Sequence, residues 1–154
     1  MQKIIHLFLR KYMNIDIIIF GGRDSWRTTD LLVEKKISVI YESVLSVPPR
    51  RFEDYDQSYK TPVILQTAGV KFCITNSSSS FQTPHLRDLP YHAAMASSFG
   101  LDPEVAIKLI TLSTAEILRI DHKVGSLEAG KDATLFISNG DILDIRSNVE
   151  QAYI

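Results

Sequence analysis

The sequence has little cysteine and no excess of charge of one sign. Cys73 is the single cysteine among 154 residues, which excludes an internal disulfide and a cysteine-based metal site. The 17 lysines and arginines nearly balance the 18 acidic residues, giving a formal net charge of −1. Such a balance gives no electrostatic signature of binding to nucleic acid or to an acidic membrane surface.

Long apolar segments are also missing. The apolar stretch from Ile15 to Phe20 is far shorter than the about 20 residues that cross a bilayer. The basic and apolar N-terminus is interrupted by His6, ends at Arg10 and has no small-residue cleavage site, so no secretory signal is predicted. We therefore expect no membrane or nucleic-acid partner, and a cytoplasmic location by default.

The first half of the chain alternates between strand and helix patterns. Three β-rich runs (residues 15–20, 37–41 and 70–74) predict strands, and the first two are typical of strands buried on both faces. A helix is predicted between the first two, over 26–36. Residues 44–60 predict a long irregular loop, after which Pro62 opens a short helix ending near Ala68. Such strand–helix repeats predict a parallel sheet with crossover helices.

The second half changes character twice. Helical patterns run from Leu89 to Leu118, interrupted at Gly100, and Asp102-Pro103 is typical of a helix start. Beyond Gly125, the runs 134–138 and 149–154 predict antiparallel strands.

One motif resembles a known family. Gly-Ser-Leu-Glu-Ala-Gly-Lys-Asp-Ala at 125–133 is similar to the turn that ends the barrel of amidohydrolase-superfamily enzymes. Upstream, Gly-Gly-Arg-Asp-Ser-Trp at 21–26, Ala-Gly-Val-Lys-Phe at 68–72 and Leu-Arg-Asp-Leu-Pro-Tyr-His at 86–92 resemble the imidazolonepropionase-like branch.

The resemblance implies an α/β fold: the last βα units of a (β/α)8 TIM barrel, with parallel strands, followed by part of a small β-sandwich. The three strands would be the sixth, seventh and eighth of the barrel. The implied domains are residues 1–122 for the barrel part and 123–154 for the sandwich part. Because a whole barrel needs about 250 residues, the chain is expected to be the C-terminal portion of such a protein.

The resemblance also implies metal-dependent hydrolysis of an amide or cyclic amide C–N bond, in which a divalent, zinc-like metal activates water. The family places a histidine ligand after the sixth strand and an aspartate after the eighth. Here those positions hold Gly21-Gly22 and Thr75-Asn76-Ser77. An asparagine amide accepts no proton near neutral pH. We therefore expect no catalytic residue and no metal ligand in this chain, with metal only in a full-length active relative.

Other polar residues are candidates for substrate contacts, and each has a plainer structural interpretation. Gly22 either cradles an anion or makes a tight turn, and Arg23 either binds a carboxylate or covers the sheet end. Asn76 follows the third strand, and His85 lies near the end of that strand; both are candidates. In the long loop, Arg50, Arg51 and Tyr59 are the remaining candidates. His92 and Cys73 are expected to be core residues.

The leading hypothesis is therefore the C-terminal segment of an amidohydrolase-like hydrolase, inactive as this chain alone. The alternative is a non-catalytic binding or interaction protein on a degenerate amidohydrolase fold. Expected partners are the missing N-terminal barrel half or a second copy of the chain, through exposed strand edges.

Overall fold

The structure is a computed structural model that describes residues 16–42, 44–48, 50–76 and 80–154. Predictions about the first fifteen residues, including the prediction of no secretory signal, lie outside these ranges. The strands are β1 (Ile18–Gly21), β2 (Ser38–Glu42), β3 (Phe72–Thr75), β4 (Leu135–Ser138) and β5 (Val149–Tyr153). The α-helices are α1 (Thr29–Glu34), α2 (Gln57–Thr67), α3 (Leu89–Ser98), α4 (Pro103–Ile110) and α5 (Leu112–Leu118). Two 3-10 helices cover Ser25–Arg27 and Ser80–Asp88, and none of the described helices is long and apolar enough to span a membrane.

Strands β1, β2 and β3 form one parallel sheet with β2 in the centre. Ile19 pairs with Val39, and Val39 pairs in turn with Phe72. Because parallel neighbours need a crossover, α1 connects β1 to β2 and α2 connects β2 to β3. The predicted α/β class and the parallel sheet are confirmed.

The core lies on β2, β3 and the helices that cover them. Val39 and Tyr41 of β2 are fully buried, and Phe72, Cys73 and Ile74 of β3 are nearly so. Helix residues complete the cluster, among them Leu32, Leu65, Ala93, Ala106 and Leu109. Cys73 is a small core residue as predicted, and burial raises the pKa of its thiol.

The prediction that β1 is buried on both faces is wrong. The exposed fractions of Ile18 and Phe20 are 42% and 52%. Strand β1 is at the edge of the sheet and pairs only with β2 among the described strands. Its alternate side chains therefore have no described element packed over them, although their composition is that of a central strand.

The predicted start of α2 at Pro62 is also wrong. The helix begins at Gln57 and carries Pro62 in its interior. Proline has no amide hydrogen, so the carbonyl of Ser58, four residues earlier, lacks its usual helical donor. The Tyr41 hydroxyl donates a hydrogen bond to that carbonyl over 3.1 Å. A tertiary contact thus replaces the missing helical bond and shortens the predicted loop.

The segment from Gly125 to the C-terminus forms a turn and a hairpin. Strands β4 and β5 pair antiparallel, as predicted. Gly125 has a φ of +102°, and a Cβ there would lie 2.7 Å from the Cβ of Ala115. Lys131 Nζ donates to Ser126 Oγ over 2.5 Å, and the Asp132 amide donates to the Lys123 carbonyl over 2.8 Å. The residues of the 125–133 motif therefore hold the turn together.

The contact between Tyr41 and Ser58 gives a test of this account. Tyr41→Phe is expected to lower the free energy of unfolding by about 1–3 kcal/mol, because the buried carbonyl loses its donor. In a Pro62→Ala background the alanine amide can donate to Ser58, so the same change is expected to cost less. Denaturant unfolding of the four proteins in this double-mutant cycle measures the coupling.

Tyr59→Phe is the matched control. The Tyr59 ring packs against Phe99, and no described residue forms a hydrogen bond with its hydroxyl. Its loss is expected to change stability by less than about 0.5 kcal/mol. Equal effects of the two tyrosine substitutions, or no coupling with Pro62, would contradict the account.

Candidate functional site at the strand ends

The carboxyl ends of the three parallel strands meet at one edge of the sheet. Gly21, Glu42 and Thr75 are the last residues of β1, β2 and β3. A Cβ built on Gly21 would lie 3.7 Å from Oε2 of Glu42, so the first two strand ends are in close proximity. In α/β proteins, loops at this edge carry the functional groups. We call Gly21–Arg23, Glu42 and Asn76 the strand-end site.

The turn after β1 needs glycine at Gly22. Its φ is +57°, and a Cβ there would lie 2.4 Å from Cγ1 of Val39. The Gly22 carbonyl accepts a hydrogen bond from the Ser25 amide over 2.9 Å, which closes the turn. Within the described ranges, the buried Ser25 hydroxyl has no hydrogen-bond partner. Of the two interpretations of Gly22 from the sequence, the structure shows the tight turn, and the anion cradle stays a prediction. The turn fixes the position of Arg23 directly after it.

A charged network joins the turn after β1 to the loop after β2. Both terminal nitrogens of Arg50 donate to the Asp24 carboxylate, over 2.6 and 2.7 Å, and Arg50 also contacts Glu53 over 2.6 Å. Arg27 pairs with the same Glu53 over 3.3 Å. Hydrogen bonding with Arg50 lowers the pKa of Asp24. Arg50, a predicted substrate contact, therefore joins the two loops in this structure.

Asn76 has a structural hydrogen bond directly after β3. Its side chain is buried, and Nδ2 donates to the backbone carbonyl of His85 over 2.7 Å. The imidazole of His85 is exposed, with Nδ1 3.2 Å from the Asp88 carboxylate. The structure thus brings Asn76 and His85 together through a backbone atom of His85.

The other predicted residues are separated. Arg23 is exposed, and no described side chain forms a hydrogen bond or ion pair with it. Arg51 is exposed in the loop after β2. The Tyr59 ring lies on α2 with its centroid 5.1 Å from that of Phe99, so it packs between helices and is not a loop residue.

His92 is a structural residue that also faces the loop after β2. Its side chain is nearly fully buried on α3, and its Nδ1 accepts a hydrogen bond from the Leu45 amide over 3.5 Å. Burial lowers the pKa of the imidazole, and the charge of Asp88 partly opposes this. The neutral ring thus connects α3 to the start of the loop after β2. Arg50 anchors the same loop further along the chain.

A groove of about 610 Å³ lies elsewhere, between α3 and the segment 141–145. Its lining includes Tyr91, Met95, Leu143 and Ile145. None of the predicted site residues lines it, so the strand ends remain the candidate site.

The strand ends do not fit a metal ion. In the described ranges, no three histidine, cysteine, aspartate or glutamate side chains lie close enough to hold one. The strand-end site offers a glycine turn, one carboxylate and a buried amide, whereas catalytic divalent metals take several histidine or carboxylate ligands. No step through a metal is therefore derived from these residues.

Comparison with known proteins assigns the family. Residues 54–153 match the amidohydrolase family. The chain belongs to that family. This amidohydrolase-family chain is 38% identical over 79 residues to adenine deaminase 4 of Rhizobium meliloti, covering 50% of this chain and 12% of that protein. An adenine deaminase of Rubrobacter xylanophilus is 34% identical over 53 residues, covering 34% of this chain and 9% of the relative.

Solved amidohydrolase structures extend the similarity to the fold. The amidohydrolase of Thermotoga maritima MSB8 aligns with a TM-score of 0.77 and 28% identity, over 94% of this chain and 37% of its own. A second amidohydrolase aligns with a TM-score of 0.63 and 20% identity, over 84% and 34%. The amidohydrolase-family chain thus spans about a third of those structures. Its resemblance to the imidazolonepropionase-like branch stays a prediction.

The contact between His92 and Leu45 predicts a pH dependence. A histidine whose pKa is lower in the folded than in the unfolded chain contributes stability above about pH 6.5, and that stability falls as the pH drops towards the folded-state pKa. The free energy of unfolding is therefore expected to fall as the pH is lowered below about 6.5, by at most about 1.4 kcal/mol per pH unit for this group.

Chemical denaturation across that range measures the slope. His92→Gln is expected to flatten it, whereas His122→Gln, which changes a histidine in a turn, is expected to leave it unchanged. A slope that persists in His92→Gln would contradict the assignment.

Proposed function

We propose that this chain forms the last three βα units of a (β/α)8 barrel, and that its strand ends contribute one wall of an active site that hydrolyses a C–N bond. The observation that carries the proposal is the parallel order of β1, β2 and β3, with polar residues at their shared carboxyl edge. Its alignment over 94% of its length with the Thermotoga maritima amidohydrolase supports it. The two named adenine deaminases support an aminated or amide-containing heterocycle as substrate.

Under this proposal the residues of this chain position the ligand and do not transfer protons. The turn at Gly22 and the Arg50 network fix the loops that surround the first two strand ends. Asn76 occupies the position where the family resemblance implies an aspartate base, and an amide does not accept the proton. Apart from the histidine position that Gly21-Gly22 occupies here, the metal ligands and the remaining catalytic groups then belong to the two thirds of the solved relatives that this chain does not span.

A second candidate is the non-catalytic binding protein. The observation that favours it is the Asn76 amide, which is buried and donates to a backbone carbonyl. Asparagine at this position therefore has a structural role that an aspartate would lose.

The exposed apolar side chains of Ile18 and Phe20 on the edge strand β1 support the proposed partners, which are the rest of a barrel or a second copy of the chain. An unpaired strand edge accepts a further strand, from the rest of a barrel or from a second copy of the chain. The hairpin of β4 and β5 has exposed apolar side chains such as Phe136 and Val149, and we assign it to a small β-sandwich over residues 123–154.

A chimera tests the catalytic proposal. In it, this chain replaces the part of the Thermotoga maritima amidohydrolase that aligns with it, and ammonia release from adenine and from cyclic amides is measured with added zinc. The chain alone is expected to release none. The chimera is expected to fold, and Asn76→Asp within it to raise the rate by about 100-fold or more, because a general base returns.

Asn148→Asp in the chimera is the matched control, since that asparagine also donates to a backbone carbonyl but lies in the exposed hairpin. It is expected to leave the rate unchanged. A folded chimera that stays inactive with Asn76→Asp would support the binding protein and contradict the catalytic proposal.

A further inference from the structure

We propose that Arg23 binds a carboxylate of the ligand at the strand-end site, so that the amide or heterocycle this site accepts is an anion. This inference rests on the proposed function and names its substrate class. It depends on three features of the described residues: where Arg23 is held, which charges surround it, and how many cations remain without a partner.

The position of Arg23 is set by the turn that precedes it. Gly22 packs so closely against Val39 that no other residue fits, and the Ser25 amide closes the turn. Arg23 therefore leaves the sheet immediately after β1, at the edge where β1 and β2 end. Its charge also acts on the buried Tyr41 phenol, whose pKa is raised by burial while hydrogen bonds and the Arg23 charge oppose the rise. The guanidinium thus lies close enough to the strand ends to influence a group under them.

The carboxylates of the adjacent loops are occupied by other cations. Asp24 is held by both terminal nitrogens of Arg50, and Glu53 by Arg50 and Arg27. Arg23 is exposed, and no carboxylate of the described residues forms an ion pair with it. Since Arg27 and Arg50 are paired, Arg23 and Arg51 are the arginines of these loops that form no ion pair within the described residues, and Arg23 is the one that directly follows the turn at a strand end.

The guanidinium of Arg23 matches a carboxylate. The planar guanidinium donates two parallel hydrogen bonds to a carboxylate, which gives both attraction and orientation. A monocarboxylate carries one negative charge, so a single guanidinium balances it.

The experiment compares two probes that differ only in charge. 5-Oxoproline is a cyclic amide with a carboxylate, and its carboxamide is the same ring without the charge. Each is titrated to millimolar concentration into the full chain, and nuclear magnetic resonance follows the arginine Nε resonances and the indole resonance of Trp26, the single tryptophan. The acid is expected to shift the Arg23 resonance and to bind about tenfold or more tightly than the carboxamide.

Arg23→Gln is expected to weaken binding of the acid about tenfold or more and to leave the carboxamide unaffected. Lys108→Gln removes the same charge from an exposed position on α4 and is expected to change neither. Arg23→Lys keeps the positive charge but loses the two parallel donors of the guanidinium, and it is expected to bind the acid with intermediate affinity.

Equal affinity for the two probes, no binding of the acid, or unchanged binding in Arg23→Gln would each overturn the proposal. These readouts involve no turnover. An inactive chimera with charge-dependent binding in this chain would therefore contradict the proposed function alone, whereas an active chimera without that binding would contradict this inference alone.

Discussion

The hydrogen bond from the Tyr41 hydroxyl to the Ser58 carbonyl is the contact on which the arrangement of the strand ends depends. It connects the central strand of the sheet to a helix whose interior proline leaves that carbonyl without a helical donor. With this contact α2 begins at Gln57, and the loop after β2 is shorter than its composition predicts. Arg50 and Glu53 are consequently held close to the turn after β1, where Asp24 and Arg27 meet them. A buried bond on β2 thus anchors the helix that follows the loop with these charges.

The distribution of these charges separates the paired cations from Arg23. Exposed ion pairs contribute little to stability individually, so the Arg50 network is better understood by its geometry than by its energy. It neutralises Asp24 and Glu53 and orients the loop. Arg23 forms no ion pair within the described residues and lies next to a turn in which Gly22 cannot be replaced without displacing Val39. A constrained backbone and a cation without an ion pair in the described ranges therefore lie together at one end of β1.

Local patterns predicted the strands, the parallel sheet and the helix start at Asp102, whose side chain accepts a hydrogen bond from the Val105 amide as a capping residue should. They failed where a distant residue decides the outcome. Nothing near Pro62 indicates that Tyr41 will supply a donor, and the opposite charges of Asp24 and Arg50 lie 26 residues apart. The edge position of β1 is likewise a property of its neighbours, since Ile18 and Phe20 have the composition of buried strand residues. Gly22, Arg23 and Asn76 were predicted from their places directly after strands, and the structure puts them at one edge of the sheet because the carboxyl ends of parallel strands meet there. Tyr59 was predicted in a loop, but it lies on α2, because the start of that helix was predicted too late.

The segment that carries family membership and the proposed ligand contact lie in different parts of the chain. Family membership is carried by the segment from residue 54 onwards, which includes the 125–133 turn and its glycine packed on Ala115. The turn that carries Arg23 lies before that segment. A carboxylate at Asn76 would face the His85 carbonyl without a proton to donate, so the position cannot serve both as a base and as the present structural donor. Under the proposed function, the described residues of this chain orient a ligand and do not react with it. Ligand specificity at the first strand end and structural support at the third would then come from the same sheet.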